Sequence, residues 1–318
     1  MIMNKRNIEH FCTLFDSNFL PMGMTLHESL MTHAQPFHLW IICMDELVKE
    51  QLEMLNLNHV SLIPIQAIET AELLAVKSER SRGEYCWTVT PFTFQAVWER
   101  APHVEQVTYL DADLFFFDDP QILLKEFDES AKQVLITEHA YAPEYDQTLT
   151  SGRFCVQFLT FKNTPEATKV MKWWQDRCLE WCFARYENGK FGDQKYLDIW
   201  PELFPNEVHI LQQTEKTLAP WNVKFIEKKM GGAISPVFYH FHSLRIISPH
   251  QVLLYIGYQI GKKGLGLYDV YIRNLSRSLN NISLLGISRP YMLLPQEKFR
   301  YLRYIKRKLF KQIQFVEI

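Results

Sequence analysis

The length, composition and charge of the chain exclude several classes of protein. It has 318 residues, of which 47% are hydrophobic and 22% are charged, so it can bury a sizeable core and differs from disordered sequences. Its 34 basic and 36 acidic residues give a formal net charge of -2, so the chain as a whole has no bulk affinity for polyanions and no nucleic acid partner is expected.

The first half alternates short apolar runs with amphipathic helical stretches. The pattern predicts strands at 11–15, 37–43 and 60–65, and helices at 21–32 and 45–55. This βαβαβ order is typical of a parallel sheet with helices on both faces. Ligands of such sheets bind beyond the carboxyl ends of the strands.

The middle of the chain contains an acidic triplet directly after a strand. Thr90 and Pro91 are predicted to cap and begin a helix that runs to Arg100. A strand at 106–110 then leads into Asp111-Ala112-Asp113. The remaining predicted elements are strands at 133–137, 154–161 and 237–241, a helix from 165 to about 186 whose tryptophans are interpreted as core, and a helical turn ended by Pro201.

No secretion signal or membrane-spanning run is recognised in the sequence. The N-terminal segment lacks the apolar region of a signal peptide, and no uncharged apolar run approaches the roughly 20 residues that cross a bilayer. The six cysteines include no CxxC pair, as expected for reduced and mostly buried thiols. We therefore expect a cytoplasmic protein.

The last part of the chain differs in charge. The segment 296–318 has seven Lys or Arg against two Glu, interleaved with aromatic and aliphatic residues. Such a basic amphipathic segment can lie on the anionic face of the inner membrane, or it can be a solvated helix packed on the body. We predict a catalytic domain at 1–247, with a nucleotide-binding half at about 1–115 and an acceptor half at about 116–247, and a helical basic extension at 248–318.

Asp111 and Asp113 are the strongest candidates for a metal site. Residues i and i+2 of an extended chain project to the same side, so both carboxylates can face one hard cation such as Mg²⁺ or Mn²⁺. Without a cation they would repel each other and lose hydration at the end of a buried strand. The alternative is an ordinary polar strand end.

Four segments together resemble the GT-A fold glycosyltransferases, and among them glycosyltransferase family 8. The segment 11–20 is similar to the first strand and nucleotide-binding loop of that family, and 109–113 is similar to its metal motif. The segment 192–198 is similar to the stretch that borders the donor sugar, and 239–243 is similar to the segment whose histidine completes the metal site. The resemblance covers roughly residues 8 to 245. It implies an α/β, Rossmann-like nucleotide-diphospho-sugar transferase fold with a mixed, mostly parallel sheet between helices.

The resemblance also implies roles for individual residues. His240 aligns with the family's histidine, and His242 would share its strand face. The family's Lys-Pro-Trp after the histidine is absent, and Arg245 is expected to substitute for it. The implied catalytic residues are Asp193 and Gln194, the implied metal ligands are Asp111, Asp113, His240 and His242, and the implied nucleotide-sugar contacts are Phe15, Asp16, Asn18, Asp111, Ala112, Asp113 and Arg245.

The sequence thus predicts a metal-dependent transferase that moves a sugar from a nucleoside diphosphate donor, UDP-linked, to a surface glycan or glycolipid. Retention of anomeric configuration follows from the resemblance, whereas an inverting enzyme would need Asp193 or Glu138 as base. A nucleotidyltransferase that makes nucleotide sugars is an alternative, although the loop 16–21 lacks the basic residues of that class. A non-catalytic glycan-binding protein with the same fold is the other alternative.

Overall fold

The computed structural model describes residues 7–292 and 300–318. Its strands, in chain order, are β1 (Glu9–Phe15), β2 (Phe37–Cys43), β3 (Val60–Pro64), β4 (Gln106–Leu110), β5 (Leu114–Phe116), β6 (Val134–Glu138), β7 (Phe154–Lys162), β8 (Val208–Ile210), β9 (Thr217–Leu218), β10 (Phe238–His240), β11 (Arg245–Ser248), β12 (Gln251–Ile256) and β13 (Ile313–Glu317). Its helices are α1 (Leu20–His33), α2 (Glu46–Leu55), α3 (Ala71–Lys77), α4 (Arg82–Val89), α5 (Thr93–Arg100), α6 (Gln121–Glu129), α7 (Pro165–Glu180), α8 (Trp200–Leu203), α9 (Val223–Lys229), α10 (Lys262–Leu284) and α11 (Arg300–Leu309).

The central layer is a mixed sheet in the strand order β3-β2-β1-β4-β7-β6-β8. The first four of these strands run parallel to one another, and β8 runs parallel to β6. Only β7 reverses direction, and it pairs antiparallel with both β4 and β6. The mixed, mostly parallel sheet between helices predicted from the sequence is therefore confirmed.

Local sequence explains why the first elements form where they do. Asp45 ends the loop after β2 and its carboxylate accepts a hydrogen bond from the Val48 N–H, which caps α2. Ser81 and Glu84 form a reciprocal capping box at the start of α4. On β1 and β2, burial on both faces matches continuous apolar runs, which is typical of central parallel strands.

Three predicted element boundaries are wrong. Thr90 does not cap a helix, because α4 runs directly into a 3-10 turn and the Thr90 hydroxyl donates to the Cys86 carbonyl inside α4. The helix predicted to reach residue 186 ends at Glu180, and the chain is extended at Trp181. Pro201 lies in the first turn of α8 rather than ending a helix, a position where its missing N–H leaves no helical bond unmade.

The predicted tryptophan set, two residues on α7 and Trp181 directly after it, belongs to the core, as predicted. Trp174 is fully buried and Trp181 is 7% exposed, while Trp173 packs edge-on against Tyr196 and Phe204. All six cysteines are free, which agrees with reduced thiols.

Two smaller sheets lie beside the central one. In the first, β10 pairs antiparallel with β5, and His240 lies opposite Leu114. The parallel partner on the other side of β10 is β9. The second small sheet is antiparallel and has the order β11-β12-β13.

The C-terminal segment packs on the body through α10. Tyr271 and Leu279 are fully buried in the same core cluster as Leu26 and Phe115, and burying each such side chain contributes roughly 1.5–3 kcal/mol. At the α1–α10 contact Thr25 Oγ1 lies 3.1 Å from Ser278 Oγ. The hydrophobic core is thus continuous across the predicted boundary at 247–248.

The extension contains strands as well as helices. After α11 the chain returns as β13 and pairs antiparallel with β12. The part of the predicted basic segment at 296–299 lies outside the described residues. Among the described residues, no helix combines the length and apolarity needed to cross a membrane.

Candidate active site

Neighbouring strands bring the nucleotide-loop and metal-motif candidates to one edge of the sheet. Cys12 on β1 lies opposite Tyr109 on β4, so the carboxyl ends of these parallel strands are adjacent. Asp16 follows β1 and Asp111 follows β4 at this edge, which is where ligands of such sheets bind.

Backbone hydrogen bonds hold the acidic triplet in place. The Asp111 N–H donates to the Gln157 carbonyl on β7 at 3.1 Å, and the Phe241 N–H donates to the Asp113 carbonyl at 2.9 Å. The first bond ties the triplet to the central sheet, and the second ties it to the segment after β10. Ala112 is buried in the core, so its contribution to the site is limited to its backbone.

His240 lies against both carboxylates. Its Nε2 is 3.1 Å from Asp113 Oδ1 and 3.8 Å from Asp111 Oδ2. Its Nδ1 is 2.7 Å from Gln157 Oε1. Because that oxygen can only accept, Nδ1 carries a hydrogen and Nε2 is the nitrogen directed at the acidic pair. This outer hydrogen bond is the kind that fixes the orientation of metal-binding histidines.

The carboxylates and the imidazole form a strongly coupled group. Burial and, to a smaller extent, the Asp113 carboxylate raise the pKa of Asp111 to about 6 against the opposing effect of the His240 charge. Burial would also raise the pKa of Asp113, but the His240 charge overcomes this and lowers it to about 2. Burial disfavours the His240 cation, yet the Asp113 carboxylate holds its pKa well above the usual value. A positive charge beside the two carboxylates therefore stabilises them, and a divalent cation could supply it in place of the His240 cation.

The donor set fits a metal ion. Asp111 and Asp113 provide two carboxylates whose side chains are 29% and 12% exposed, and His240 provides an oriented nitrogen. A ligand atom from each of Asp111, Cys155 and His240 lies within 4.8 Å of the other two. These residues could hold one divalent ion with an open side toward solvent.

His242 has a different position from the one predicted. The strand β10 ends at His240, so His242 lies in the following turn and the same-face argument for the two histidines does not apply. The ring centroids of His240 and His242 are 5.6 Å apart. Burial and the His240 charge lower the pKa of His242 to about 3. Its role as a metal ligand stays a prediction.

Asp193 converges on the acidic pair from a distant part of the chain. Its backbone carbonyl accepts a hydrogen bond from Trp174 Nε1 at 2.9 Å, and the residue is 4% exposed. Burial, together with the nearby Asp111 charge, raises the pKa of Asp193 to about 8. The side chain makes no capping hydrogen bond to the turn that follows, so a simple capping role is not supported.

Gln194 begins that turn and is oriented by the loop after β6. Its Nε2 donates to the Ser151 carbonyl at 2.8 Å. The neighbouring Lys195 donates to the Thr148 carbonyl and pairs with Asp198, both at 2.7 Å. The segment 192–198, which includes Asp193, and the loop 141–153 are therefore joined by hydrogen bonds into one unit.

The predicted nucleotide loop is ordered around Asp16. Its Oδ1 accepts a hydrogen bond from the Asn18 N–H at 2.9 Å, and its Oδ2 lies 3.0 Å from the Arg82 guanidinium. Phe15 is buried, and a Cβ on Gly23 would lie 2.4 Å from its ring. The Phe15 ring thus packs in the core behind the loop, and its contact with the nucleotide stays a prediction.

Arg245 lies near both Asp113 and the predicted nucleotide loop. Its guanidinium is 5.6 Å from the centroid of the Phe19 ring, and it donates to the Leu244 carbonyl at 2.6 Å. The Asp113 charge acts on it, although burial lowers the pKa of Arg245 more than this charge raises it. Arg245 therefore connects the acidic pair to the nucleotide loop.

The sequence prediction missed several residues of this region. Gln157 orients His240, Cys155 lies beside the same histidine, and Arg82 pairs with Asp16. A polar Gln157 in the middle of the mostly apolar β7 was a sequence signal that could have pointed to it. No pattern identified Arg82, because its partner is 66 positions away.

An aromatic wall borders the histidines. We use this name for Tyr141, Trp221 and Tyr258. The Trp221 ring lies 5.4 Å from both His240 and His242 and 6.0 and 6.5 Å from Tyr141 and Tyr258. Trp221 Nε1 donates to the His139 carbonyl at 2.7 Å, which fixes the indole. The wall therefore joins the loop after β6 to the segment after β12.

Comparison with known proteins identifies relatives and a fold. No known protein-family profile matches the chain. Uncharacterized protein YfnF of Bacillus subtilis (strain 168) is 34% identical over 255 residues, which cover 76% of this chain and 84% of that protein. Uncharacterized protein YfnD of the same organism is 31% identical over 287 residues, which cover 86% of this chain and 90% of that protein.

Two solved structures are similar despite low sequence identity. Mouse xyloside xylosyltransferase 1 has a TM-score of 0.51 at 14% identity, with 75% of this chain and 99% of that chain covered. The galactosyltransferase LgtC, in complex with donor and acceptor sugar analogues, has a TM-score of 0.51 at 13% identity, with 84% and 95% covered. These likenesses show that the chain has the GT-A fold.

Proposed function

Because the chain belongs to the family of the Bacillus subtilis proteins YfnF and YfnD and has the GT-A fold, we propose that it is a metal-dependent glycosyltransferase. It would transfer a sugar from a nucleoside diphosphate donor, UDP-linked, to a hydroxyl of a surface glycan or glycolipid. The observation that carries this proposal is the convergence of Asp111, Asp113, His240 and Asp193 at the carboxyl edge of the sheet.

The acidic pair and His240 would hold the divalent ion, Mn²⁺ or Mg²⁺. When bound, such an ion neutralises the diphosphate and stabilises the charge of the leaving group. The chain's own residues would position the donor around it. Asp16 and Asn18 lie on the adjacent strand end and would contact the nucleoside, and Arg245 would add positive charge near the phosphates.

Gln194 and Asp193 would border the reacting sugar. The Gln194 amide nitrogen is engaged by Ser151, so its oxygen is directed by a fixed amide plane and can face the anomeric carbon. The buried Asp193 would accept a hydrogen bond from a sugar hydroxyl. Neither role requires a covalent intermediate. In a retaining reaction on one face of the sugar, the departing diphosphate accepts the proton of the acceptor hydroxyl, and positioning supplies much of the rate.

The aromatic wall would hold the acceptor. Tyr141 and Tyr258 are partly exposed and lie next to Trp221, which contacts His240. Aromatic faces offer rigid apolar area to the C–H faces of a pyranose ring while their polar edges can hydrogen-bond its hydroxyls. An acceptor sugar placed there would be beside the metal site.

The helix α11 would bring the enzyme to a glycolipid acceptor. Lys306, Lys308 and Lys311 are exposed next to Leu309 and Phe310, which are 77% and 55% exposed. Basic residues near an anionic membrane each contribute on the order of 1 kcal/mol, and exposed apolar side chains add to binding. An enzyme bound to the inner membrane surface through α11 would then have its aromatic wall in reach of a glycolipid acceptor in the same membrane.

Calorimetric titration with UDP tests the metal-dependent site. UDP should bind in the presence of Mn²⁺ and lose most of its affinity after chelation. Asp113→Ala should abolish this binding and also the slow metal-dependent hydrolysis of nucleotide sugars. The matched control Asp118→Ala removes a carboxylate that accepts a hydrogen bond from the neighbouring Asp119 N–H, and it should behave as wild type.

A panel of nucleotide sugars then identifies the donor. Metal-dependent release of UDP from one member of the panel, lost in Asp113→Ala, would support the transferase. UDP affinity that is equal with and without metal would contradict the proposed site. Release of pyrophosphate from UTP and a sugar 1-phosphate would instead indicate a nucleotidyltransferase, and glycan binding without any nucleotide effect would indicate a binding protein.

A further inference from the structure

We propose that Cys155 is a ligand of the same metal ion, and that its sulfur makes the site select Mn²⁺, Co²⁺ or Zn²⁺ over Mg²⁺. The inference rests on the proposed function only in that both require a cation held by Asp111 and His240. It adds a residue that no sequence motif indicated and a consequence for the identity of the metal.

The first argument is the distance between the ligand atoms. The Cys155 sulfur, a carboxylate oxygen of Asp111 and a ring nitrogen of His240 all lie within 4.8 Å of one another. Ligand atoms on one ion with bonds of about 2.0–2.3 Å are separated by roughly 3–4.5 Å. The three atoms therefore need only small side-chain movements to share a single ion.

The second argument is the direction of the side chains on β7. Cys155 and Gln157 are two positions apart on this strand, and although its register with β6 is irregular here, both side chains lie on the face that His240 packs against. Gln157 uses that face to bond His240 Nδ1. Cys155 is directed toward the same histidine and is 3% exposed, so its sulfur is held in the site rather than free in solvent.

The third argument is the chemistry of the donor set. Mg²⁺ takes oxygen ligands in near-ideal octahedral geometry and is poorly matched to sulfur. Borderline ions such as Zn²⁺ and Co²⁺ accept sulfur, nitrogen and oxygen together, and Mn²⁺ is more tolerant of nitrogen than Mg²⁺. On coordination the thiol proton is released to solvent and the metal–sulfur bond forms, without any change of oxidation state.

Cobalt spectroscopy of the full-length protein tests whether the sulfur binds. Addition of Co²⁺ to the wild-type protein should produce visible d–d bands together with a near-ultraviolet thiolate-to-cobalt charge-transfer band. Cys155→Ser should lose the charge-transfer band and keep the d–d bands, because the carboxylates and the imidazole remain. Cys43→Ala is the matched control, since it removes a buried thiol of β2 that bonds the Ile41 carbonyl, and it should keep both features.

Competition with Mg²⁺ tests the selectivity. Excess Mg²⁺ should fail to displace Co²⁺ from the wild-type protein and should displace it more readily from Cys155→Ser. If Cys155→Ser does not fold, the ¹¹³Cd NMR shift of the wild-type protein reports sulfur ligation without any substitution.

The outcomes separate this inference from the proposed function. Co²⁺ binding to the wild type without a charge-transfer band, or a ¹¹³Cd shift typical of nitrogen and oxygen ligands alone, would overturn the role of Cys155 and leave the glycosyltransferase proposal intact. Absence of any metal binding that depends on Asp111 and His240 would overturn both. A charge-transfer band that survives in Cys155→Ser would assign the sulfur to another cysteine and also overturn the inference.

Discussion

Replacement of Gln157 by Leu should weaken metal binding without unfolding the protein. Gln157 touches His240 through a 2.7 Å hydrogen bond and is 1% exposed. Without the amide oxygen, the imidazole loses the partner that fixes its orientation and tautomer. Loss of such outer partners typically weakens metal affinity by about 10–100-fold, or roughly 1.4–2.7 kcal/mol.

The effect on stability should be small because two contributions oppose each other. An unpaired His240 N–H in the buried site costs about 1–3 kcal/mol. The Gln157 amide nitrogen, however, is itself buried without a hydrogen-bond partner among the described residues, and Leu removes that unsatisfied donor. A change of 1 kcal/mol in unfolding free energy shifts the melting temperature by about 2–4 °C for domains of roughly 150–250 residues, and by a similar or smaller amount for a longer chain. The net change in the melting temperature of the metal-free protein should therefore be within a few degrees.

Isothermal titration with Mn²⁺ measures the affinity, and Gln157→Glu supplies a graded comparison. A Glu carboxylate can still accept the His240 N–H, so Gln157→Glu should bind Mn²⁺ more tightly than Gln157→Leu. Gln175→Leu is the matched control. Gln175 on α7 is also buried, but it donates to the Pro91 carbonyl in the 3-10 turn after α4 and not to the metal site. The reasoning is refuted if Gln157→Leu binds Mn²⁺ within about twofold of wild type, since the outer bond would then have no influence on the metal.

Three further predictions concern the loop, the wall and the membrane. Gly23→Ala should destabilise the protein by about 1–3 kcal/mol in denaturant unfolding, because its Cβ would lie 2.4 Å from the buried Phe15 ring; Gly83→Ala meets nothing within 4 Å, and equal effects of the two would contradict this packing. Tyr258→Ala should raise the KM for the acceptor and leave metal-dependent donor hydrolysis unchanged. Tyr186 is exposed, and Tyr186→Ala should alter neither quantity. A fall in donor hydrolysis without a change in the KM for the acceptor would exclude an acceptor role of Tyr258. Replacing Lys306 and Lys308 by Glu should reduce co-sedimentation with anionic vesicles that contain phosphatidylglycerol. Binding to phosphatidylcholine vesicles should be weak for the wild type and unchanged in the variant. Equal binding of wild type and variant to the anionic vesicles would contradict a role of α11.

The sequence by itself determined the class of fold and the main acidic motif. Apolar runs and helical periodicity are local signals, and they placed β1, β2 and α2 within one residue at most boundaries. The step from Asp111 to Asp113 is also local, so a short pattern suffices to indicate a metal site. The resemblance of four separated segments to the GT-A fold added their expected convergence.

Only the tertiary structure decided which side chains complete the site. Asp193 lies close enough to Asp111 to feel its charge, and Trp174 on α7 holds its backbone there. Cys155 and Gln157 lie at the site because β7 runs antiparallel beside β4. These contacts join residues far apart in the chain, and no periodicity records them.

Element ends were decided by tertiary packing for a related reason. The end of β10 at His240 depends on its pairing with β5 and β9, and this is what places His242 in a turn. The end of α7 at Glu180 and the return of β13 to β12 likewise depend on neighbours supplied by distant segments. Local propensity determines where an element can form, whereas hydrogen-bond partners and packing determine where it stops.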